Sequence, residues 1–434
     1  MKFISSPVSF LRGDVVVPGD KSISHRAIML GAIAKGTTTV SGFLDGEDCL
    51  ATLRAFRNMG VEIEGPEAQC VVIHGVGKYG LQKPKNVLDC GNSGTSIRLL
   101  AGLLAAQSFE SELTGDESLL KRPMERISRP LLQMGAEIST QNGRPPIHIR
   151  PAHKLTGITY EMPEASAQVK SCLLLAGLYA EGETQIIEPS LTRDHTERML
   201  ASFSYPIQKS ENTIVINSLS ECLATDIIVP GDISSAAFLI VAATLVPNSD
   251  LYIRGVGINP ARTGILHILK LMGANITLLN KRLCGEEPIA DIHVQSASLE
   301  GIDIPASMVP SAIDEFPVLF IAAACAKGQT LLHGAKELRS KESDRIEAMV
   351  DGLVRVGIEA EALEDGIFIN GGVIQGGTID SRHDHRIAMA FSIAGAVAND
   401  SITIEHCENI ATSFPTFLTM MNQINLSIRV NTDE

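Results

Sequence analysis

VPGDKSISHR (17–26) opens on a four-residue phrase, VPGD, that returns at 229–232, both times ahead of a serine-containing helix start. The Pro-Gly break ends one element, and Asp20 or Ser22 is positioned to cap the next. The first backbone N–H groups of that helix then point outward, and Lys21 adds a full positive charge beside them. Ser22 and Arg26 are four residues apart and share the opening face. This is the chemistry of a phosphate or carboxylate site.

The stretch between the two VPGD copies brackets three repeats. One recurring phrase is a helix end, a small turn and a short β run: RNMGVEIE (57–64), LQMGAEIS (132–139), LKLMGANIT (269–277) and LVRVGIEAE (353–361), with weaker copies ASFSYPIQ (201–208) and MNQINLSI (421–428). A second is a turn followed by a β-branched strand: KGTTTVSG (35–42), SFESELTG (108–115), EGETQIIEP (181–189), PNSDLYIRG (247–255), KGQTLLHG (327–334) and NDSITIEH (399–406). Before each strand phrase lies an apolar helix rich in Ala and Leu, at 26–34, 96–106, 168–180, 234–246, 316–326 and 386–398. Helices that apolar are expected to be buried on most sides. Units of about 70 residues are longer than solenoid repeats and suit a small α/β fold. The expectation is therefore an α/β protein of two similar domains with three repeats each. The first takes residues 20–231, and the second takes 1–19 plus 232–434, with the chain crossing near 18–20 and 229–232.

The 434 residues carry a formal charge of −14, with 44% hydrophobic residues and no tryptophan. A broad basic face for nucleic acid is excluded by that balance. The longest apolar runs, such as 238–246, are too short to span a bilayer. The N-terminal stretch has neither a long apolar run nor a small-residue cleavage site, so no signal peptide is read. The eight cysteines form no CxxC pair, which argues against zinc and redox motifs and fits reduced thiols in the cytoplasm. Anionic substrates on so acidic a protein require cations focused in a cleft.

The charged motifs supply that focus. DCGNSGTSIR (89–98) is a Gly-rich turn into an apolar helix, with Thr95 or Ser96 as the cap; it lacks the dinucleotide-binding spacing. GDESLLKRP (115–123) sets Lys121 and Arg122 in an extended segment before a proline. ASAQVK (165–170) offers Ser166 and Gln168, and TRDH (192–195) adds Arg193. IDEFP (313–317) puts Asp314 and Glu315 where ordinary capping competes with catalysis. KELRSKESDR (336–345) spaces Lys341 and Arg345 four apart, and Glu342 and Arg345 three apart, the pattern of a mixed-charge helix face. DHR (384–386) leads into another apolar helix. Each motif alone has an ordinary structural meaning. Nearly all of them lie at the N-terminal ends of repeat helices, and such ends converge if the six units pack alike.

VPGDKSISHR, GNSGT, GDESLLKRP, ASAQVK, TRDHTE, IDEFP, ELRSKESDR and DHRIAM together resemble the 5-enolpyruvylshikimate-3-phosphate synthase family, in order and over essentially the whole chain. The resemblance implies two domains of three βαβαββ units each, the enolpyruvyl transferase inside-out α/β barrel, with the active site in the cleft between them. It implies transfer of the enolpyruvyl group of phosphoenolpyruvate to the 5-hydroxyl of shikimate 3-phosphate, without metal or cofactor, on the route to aromatic amino acids. By the same likeness Lys21, Ser22, Arg26, Ser166, Ala167, Gln168, Arg193, Asp314 and Lys341 hold shikimate 3-phosphate. Lys21, Gly94, Arg122, Gln168, Arg345 and Arg386 hold phosphoenolpyruvate. Asp314 takes the hydroxyl proton, and Glu342, with Lys21 nearby, protonates the methylene carbon and later reverses that transfer. Domain closure then excludes water. A cytoplasmic monomer without membrane or nucleic-acid partners is expected.

Two departures mark a branch. Ala167 stands where the better-known branch has a second serine, and Thr412 stands where it has a late lysine. Both features resemble the second, glyphosate-tolerant branch, although GNSGT keeps Gly94 where an alanine would crowd the inhibitor. Partial tolerance is the expectation. The sister transferase acting on UDP-N-acetylglucosamine begins its site with Lys-Asn and uses a loop cysteine; here Lys21 precedes Ser22, and no cysteine lies between 91 and 171. A non-catalytic anion-binding protein is disfavoured by the presence of both Asp314 and Glu342. An RNA-phosphate cyclase relative is disfavoured by the acidic charge and the missing nucleotide loop.

Overall fold

The computed structural model describes residues 1–431. The chain divides into two units, Gly19–Val229 with Cys284–Glu287, and Met1–Pro18 with Pro230–Leu283 and Pro288–Glu434. Each has its own hydrophobic core. Among the described residues there are six sheets, three to a unit, each hydrogen-bonded within itself; no barrel closes. The sheets stay separate and pack on the buried helices, which is the expected inside-out α/β arrangement.

One plan builds five of the six; in the sheet of Gln329–Leu332 the parallel edge is reduced to isolated bridges. In the unit containing Gly19, strand Lys35–Ser41 pairs antiparallel with Cys70–Val76, which pairs in turn with Glu62–Glu67. A short strand lies parallel on the other side of Lys35–Ser41. That edge strand is Ile227–Ile228, so the end of this unit completes its first repeat. Ser111–Thr114 and Glu183–Ile187 are the matching strands of the next two repeats, with parallel edges Leu88–Asp89 and Thr159–Glu161. In the other unit Arg12–Val15 is the parallel edge of Asp250–Gly257. Lys2–Ser6 sits between Ile402–Glu405 and Ser427–Asn431 and finishes the last repeat. The N-terminal segment therefore belongs to that unit by backbone hydrogen bonds.

The turn phrase has a single backbone cause. Gly60, Gly135, Gly273 and Gly357 all have φ between 82° and 100°, the left-handed step that ends a helix and starts a strand. In the two weaker copies Ser204 (φ 57°) and Asn425 (φ 72°) take the same step, which is why those copies lack the glycine.

The apolar helices are Lys21–Ile33, Gly94–Leu104, Ala167–Gly177, Ile233–Leu245, Phe316–Ala324 and His385–Gly395. Their hydrophobicity runs all round, and every residue of Phe316–Ala324 is buried. Each begins a few residues earlier than its apolar run, or at the same residue, because its polar first turn is also helical.

Candidate active site

Three helix starts meet in the unit containing Gly19. Asp20 caps Lys21–Ile33 by accepting from Ile23 N at 2.9 Å, choosing between the two expected caps. Lys21 Nζ lies 2.9 Å from Asp48 Oδ2, in the first turn of helix Glu47–Asn58. Arg26, only 4% exposed, donates to Ser171 Oγ and Thr196 Oγ1, each at 2.7 Å, and to the Ser22 carbonyl at 2.8 Å. Its acceptors are all neutral. Burial pulls its pKa down to about 10, with the positive charge of Arg193 acting in the same direction. It remains a cation at neutral pH. Below these hydroxyls Lys170 is fully buried between Glu188 at 3.1 Å and Glu197 at 2.7 Å. Ser171 and Thr196 are the chain neighbours of Lys170 and Glu197, so this ion triad holds both of the Arg26 hydroxyl partners.

The Gly-rich turn is capped by Ser93, which accepts from Ser96 N at 3.0 Å, and not by Thr95 or Ser96. An N-cap sits outside the helix, and the helix begins at Gly94, one residue earlier than the hydroxyl pair suggests. Gly94 is crowded: a Cβ there would lie 2.8 Å from Arg98 Nη1 and 3.1 Å from Arg122 Nη1. Arg122 Nη2 donates to Asn92 Oδ1 at 2.7 Å, and Arg98 Nη1 donates to Gln168 Oε1 at 2.7 Å. Gln168 Nε2 reaches Thr95 Oγ1 at 3.3 Å, joining the second and third helix starts. The Ser166 hydroxyl caps the third by accepting from Val169 N, and Ala167 is its first residue. Arg193 is half-buried in the loop before helix His195–Ser202.

The other unit gathers carboxylates. Arg345, 1% exposed, donates from Nε to Asp384 Oδ2 at 2.8 Å and from Nη2 to Glu342 Oε2 at 2.5 Å. Its Nη1 is 3.7 Å from Asp314 Oδ1 and makes no hydrogen bond among the described residues. Burial opposes its charge, but Asp384, Glu342 and Asp314 outweigh that and raise its pKa. Burial likewise pushes Asp384 up, yet the Arg345 charge holds it below the ordinary carboxylate range. Asp384 also caps helix His385–Gly395 through Arg386 N at 2.9 Å. Lys341 Nζ stands 3.4 Å from Asp314 Oδ1 and 2.8 Å from Glu337 Oε1. Arg386 Nη1 donates to the Asp314 carbonyl at 2.9 Å, and Glu315 behind it is held by Ser234 and by Arg262 at 3.8 Å. Asp314, Lys341, Glu342, Arg345 and Arg386 thus form one cluster.

The mixed-charge stretch 336–345 is not one helix. A 3₁₀ turn covers Lys336–Ser340, the chain extends at Lys341, and a new helix starts at Arg345. Asp344 forces the restart by capping Ile346 N and Glu347 N, each at 3.1 Å. The Glu342–Arg345 pair survives because both flank that cap. Glu315 sits at the start of its helix without making a side-chain cap. Thr412 ends a 3₁₀ turn and donates to Asn409 O at 2.6 Å. Asp48, Arg98, Ser171, Thr196 and Asp384 went unread as site residues. Asp384, Arg98 and Thr196 lay inside quoted motifs without being singled out; Asp48 and Ser171 need the packing of helices far apart in sequence.

The model of the EPSP synthase (3-phosphoshikimate 1-carboxyvinyltransferase) family matches residues 6–421. The 3-phosphoshikimate 1-carboxyvinyltransferase of Legionella pneumophila (strain Lens) is 66% identical over 428 residues, 99% of each chain. That of Hydrogenovibrio crunogenus is 57% identical over 436 residues, covering 99% of this chain and 98% of its own. Among solved structures, the EPSP synthase from Acinetobacter baumannii superposes with a TM-score of 0.89 at 55% identity, covering 99% of this chain and 100% of that one. The enolpyruvyl transferase NikO from Streptomyces tendae, 17% identical, shares the fold with a TM-score of 0.80 over 100% of this chain and 99% of its own. The chain whose helix starts build these two clusters belongs to the EPSP synthase family.

Proposed function

We propose that this chain transfers the enolpyruvyl group of phosphoenolpyruvate to the 5-hydroxyl of shikimate 3-phosphate and releases inorganic phosphate. The observation that carries the reading is the Asp314–Lys341–Glu342–Arg345 cluster, two half-buried carboxylates set around one buried guanidinium. Asp314 accepts the 5-hydroxyl proton as that oxygen bonds to C2 of phosphoenolpyruvate, while Glu342 delivers a proton to C3. The product is a tetrahedral adduct still carrying phosphate. Glu342 then removes a methyl proton, the C2–C3 double bond re-forms, and the C–O bond to phosphate breaks.

The other unit receives the anions. Lys21, Ser22, Arg26, Ser166, Ala167, Gln168 and Arg193 take shikimate 3-phosphate, with Lys341 and Asp314 from the carboxylate cluster. Lys21, Gly94, Arg122 and Gln168 take the phosphate end of phosphoenolpyruvate. Arg345, through Nη1, and Arg386 take its carboxylate. Water exclusion makes each fixed charge count for more.

Phosphate release from phosphoenolpyruvate tests this, with shikimate 3-phosphate or UDP-N-acetylglucosamine as acceptor and Asp314→Ala as control. Release only with shikimate 3-phosphate, abolished in the control, is expected. Release only with the sugar nucleotide, or with neither acceptor, contradicts it. Ala167 and Thr412 support partial glyphosate tolerance; a micromolar or tighter inhibition constant competitive with phosphoenolpyruvate would contradict that assignment. A cytoplasmic monomer fits this reading. No helix of the described residues is long and apolar enough to cross a membrane.

A further inference from the structure

His25 lies one turn beyond Lys21 and is fully buried. Its Nδ1 is 2.8 Å from Thr52 Oγ1, and Thr52 Oγ1 is 2.6 Å from Ser96 Oγ. Its Nε2 is 3.4 Å from Ser93 Oγ, the cap of the Gly94 helix. Thr52 in turn lies one helical turn beyond Asp48, the partner of Lys21. Two adjacent helices are therefore joined twice, by Lys21–Asp48 and, one turn on, by His25–Thr52. The same imidazole then reaches the Asn92–Gly94 turn, whose Asn92 holds Arg122.

We infer that His25 is a positioning residue, tying the Lys21–Asp48 pair to the Asn92–Gly94 turn and so fixing the groups that receive phosphoenolpyruvate. The inference rests on the assignment of Lys21, Gly94 and Arg122 to that substrate. Burial, with the Lys21 and Arg26 charges beside it, holds the His25 pKa well below its ordinary value. A neutral ring has one donor and one acceptor nitrogen, which suits a hydroxyl on each side. A lysine or arginine here would add a third cation to the helix start. An aliphatic side chain would fill the space and leave Thr52 and Ser93 without their link. Arg26 is held separately by Ser171 and Thr196, so its substrate contacts do not depend on His25.

The test is steady-state kinetics with both substrates varied, on the intact protein and on Lys21→Met, His25→Leu, His25→Asn and Thr52→Val. His25→Leu should raise the phosphoenolpyruvate KM about tenfold, the scale of a small misplacement of binding groups, and leave the shikimate 3-phosphate KM within about twofold. Thr52→Val, nearly isosteric and lacking only the hydroxyl, should move the same constant in the same direction by less. His25→Asn keeps a donor and an acceptor and should recover most of the loss. Should His25→Leu fail to fold by circular dichroism, Thr52→Val and His25→Asn decide. An unchanged phosphoenolpyruvate KM in the folded variants, or both KM values rising together with a fallen Tm, overturns the inference while Lys21→Met still raises that KM. If Lys21→Met leaves it unchanged, the substrate assignment itself fails, and this inference with it.

Discussion

Arg26 and Arg345 are both buried arginines near the starts of helices, yet their hydrogen-bond partners are opposite in kind. Two hydroxyls and a carbonyl hold Arg26. Carboxylates hold Arg345. Burial lowers the pKa of the first to about 10, whereas the carboxylates raise that of the second against the same burial. Neutral hydrogen-bond partners orient Arg26, with the Glu197 and Asp20 charges favouring its cationic form against burial, and on the proposed function its field meets an incoming anion. Arg345 spends most of its charge in fixing Asp384 and Glu342, and Asp384 anchors the helix that carries Arg386. On the proposed function, one repeat plan serves two uses, an anion receiver in one unit and a proton-transfer device in the other.

The largest effect that could break this contrast is on stability. Arg345→Met leaves two buried or half-buried carboxylates without their cation and should cost about 3–5 kcal/mol in denaturant unfolding. Arg26→Met strands two neutral hydroxyls and a carbonyl and should cost about 1–3 kcal/mol. Equal losses would mean that the two arginines play the same structural part. The second effect is on binding: Arg26→Met should weaken shikimate 3-phosphate by about 100-fold in calorimetry, the scale of a lost charged hydrogen-bonding group. Retained affinity would remove Arg26 from the anion receiver. A smaller effect sharpens the picture around Gly94. Its alanine variant must displace the Arg98 and Arg122 guanidiniums by some tenths of an ångström. The phosphoenolpyruvate KM should rise severalfold to about tenfold with kcat nearly kept. A loss confined to kcat would place Gly94 outside the binding of that substrate.

Much of this was legible in the sequence, for definite reasons. The six β-branched phrases all became strands, because strand and turn signals there are local. The turn glycines marked a left-handed step, and the copies with Ser204 and Asn425 were faint only because other residues take that step. Asp314 and Arg386 were readable as charges leading into apolar helices, whereas Lys341, Glu342 and Arg345 lay in a mixed-charge stretch and took their roles from the family resemblance. The helix drawn through 336–345 failed because i,i+4 spacing carries no information about a new cap, and Asp344 supplies one. Asp48, Ser171 and Thr196 were invisible for another reason. A lone acid or hydroxyl on a helix says nothing until a cation from a distant repeat packs against it, as Lys21 and Arg26 do.

Glu342→Gln tests the division of labour most directly, by measuring shikimate 3-phosphate affinity and turnover on one preparation. The substitution keeps the shape and removes the proton carrier. Affinity within about twofold of the unaltered protein, with kcat lower by at least about 100-fold, is the expected result. Turnover retained, or affinity falling in step with it, would contradict the account.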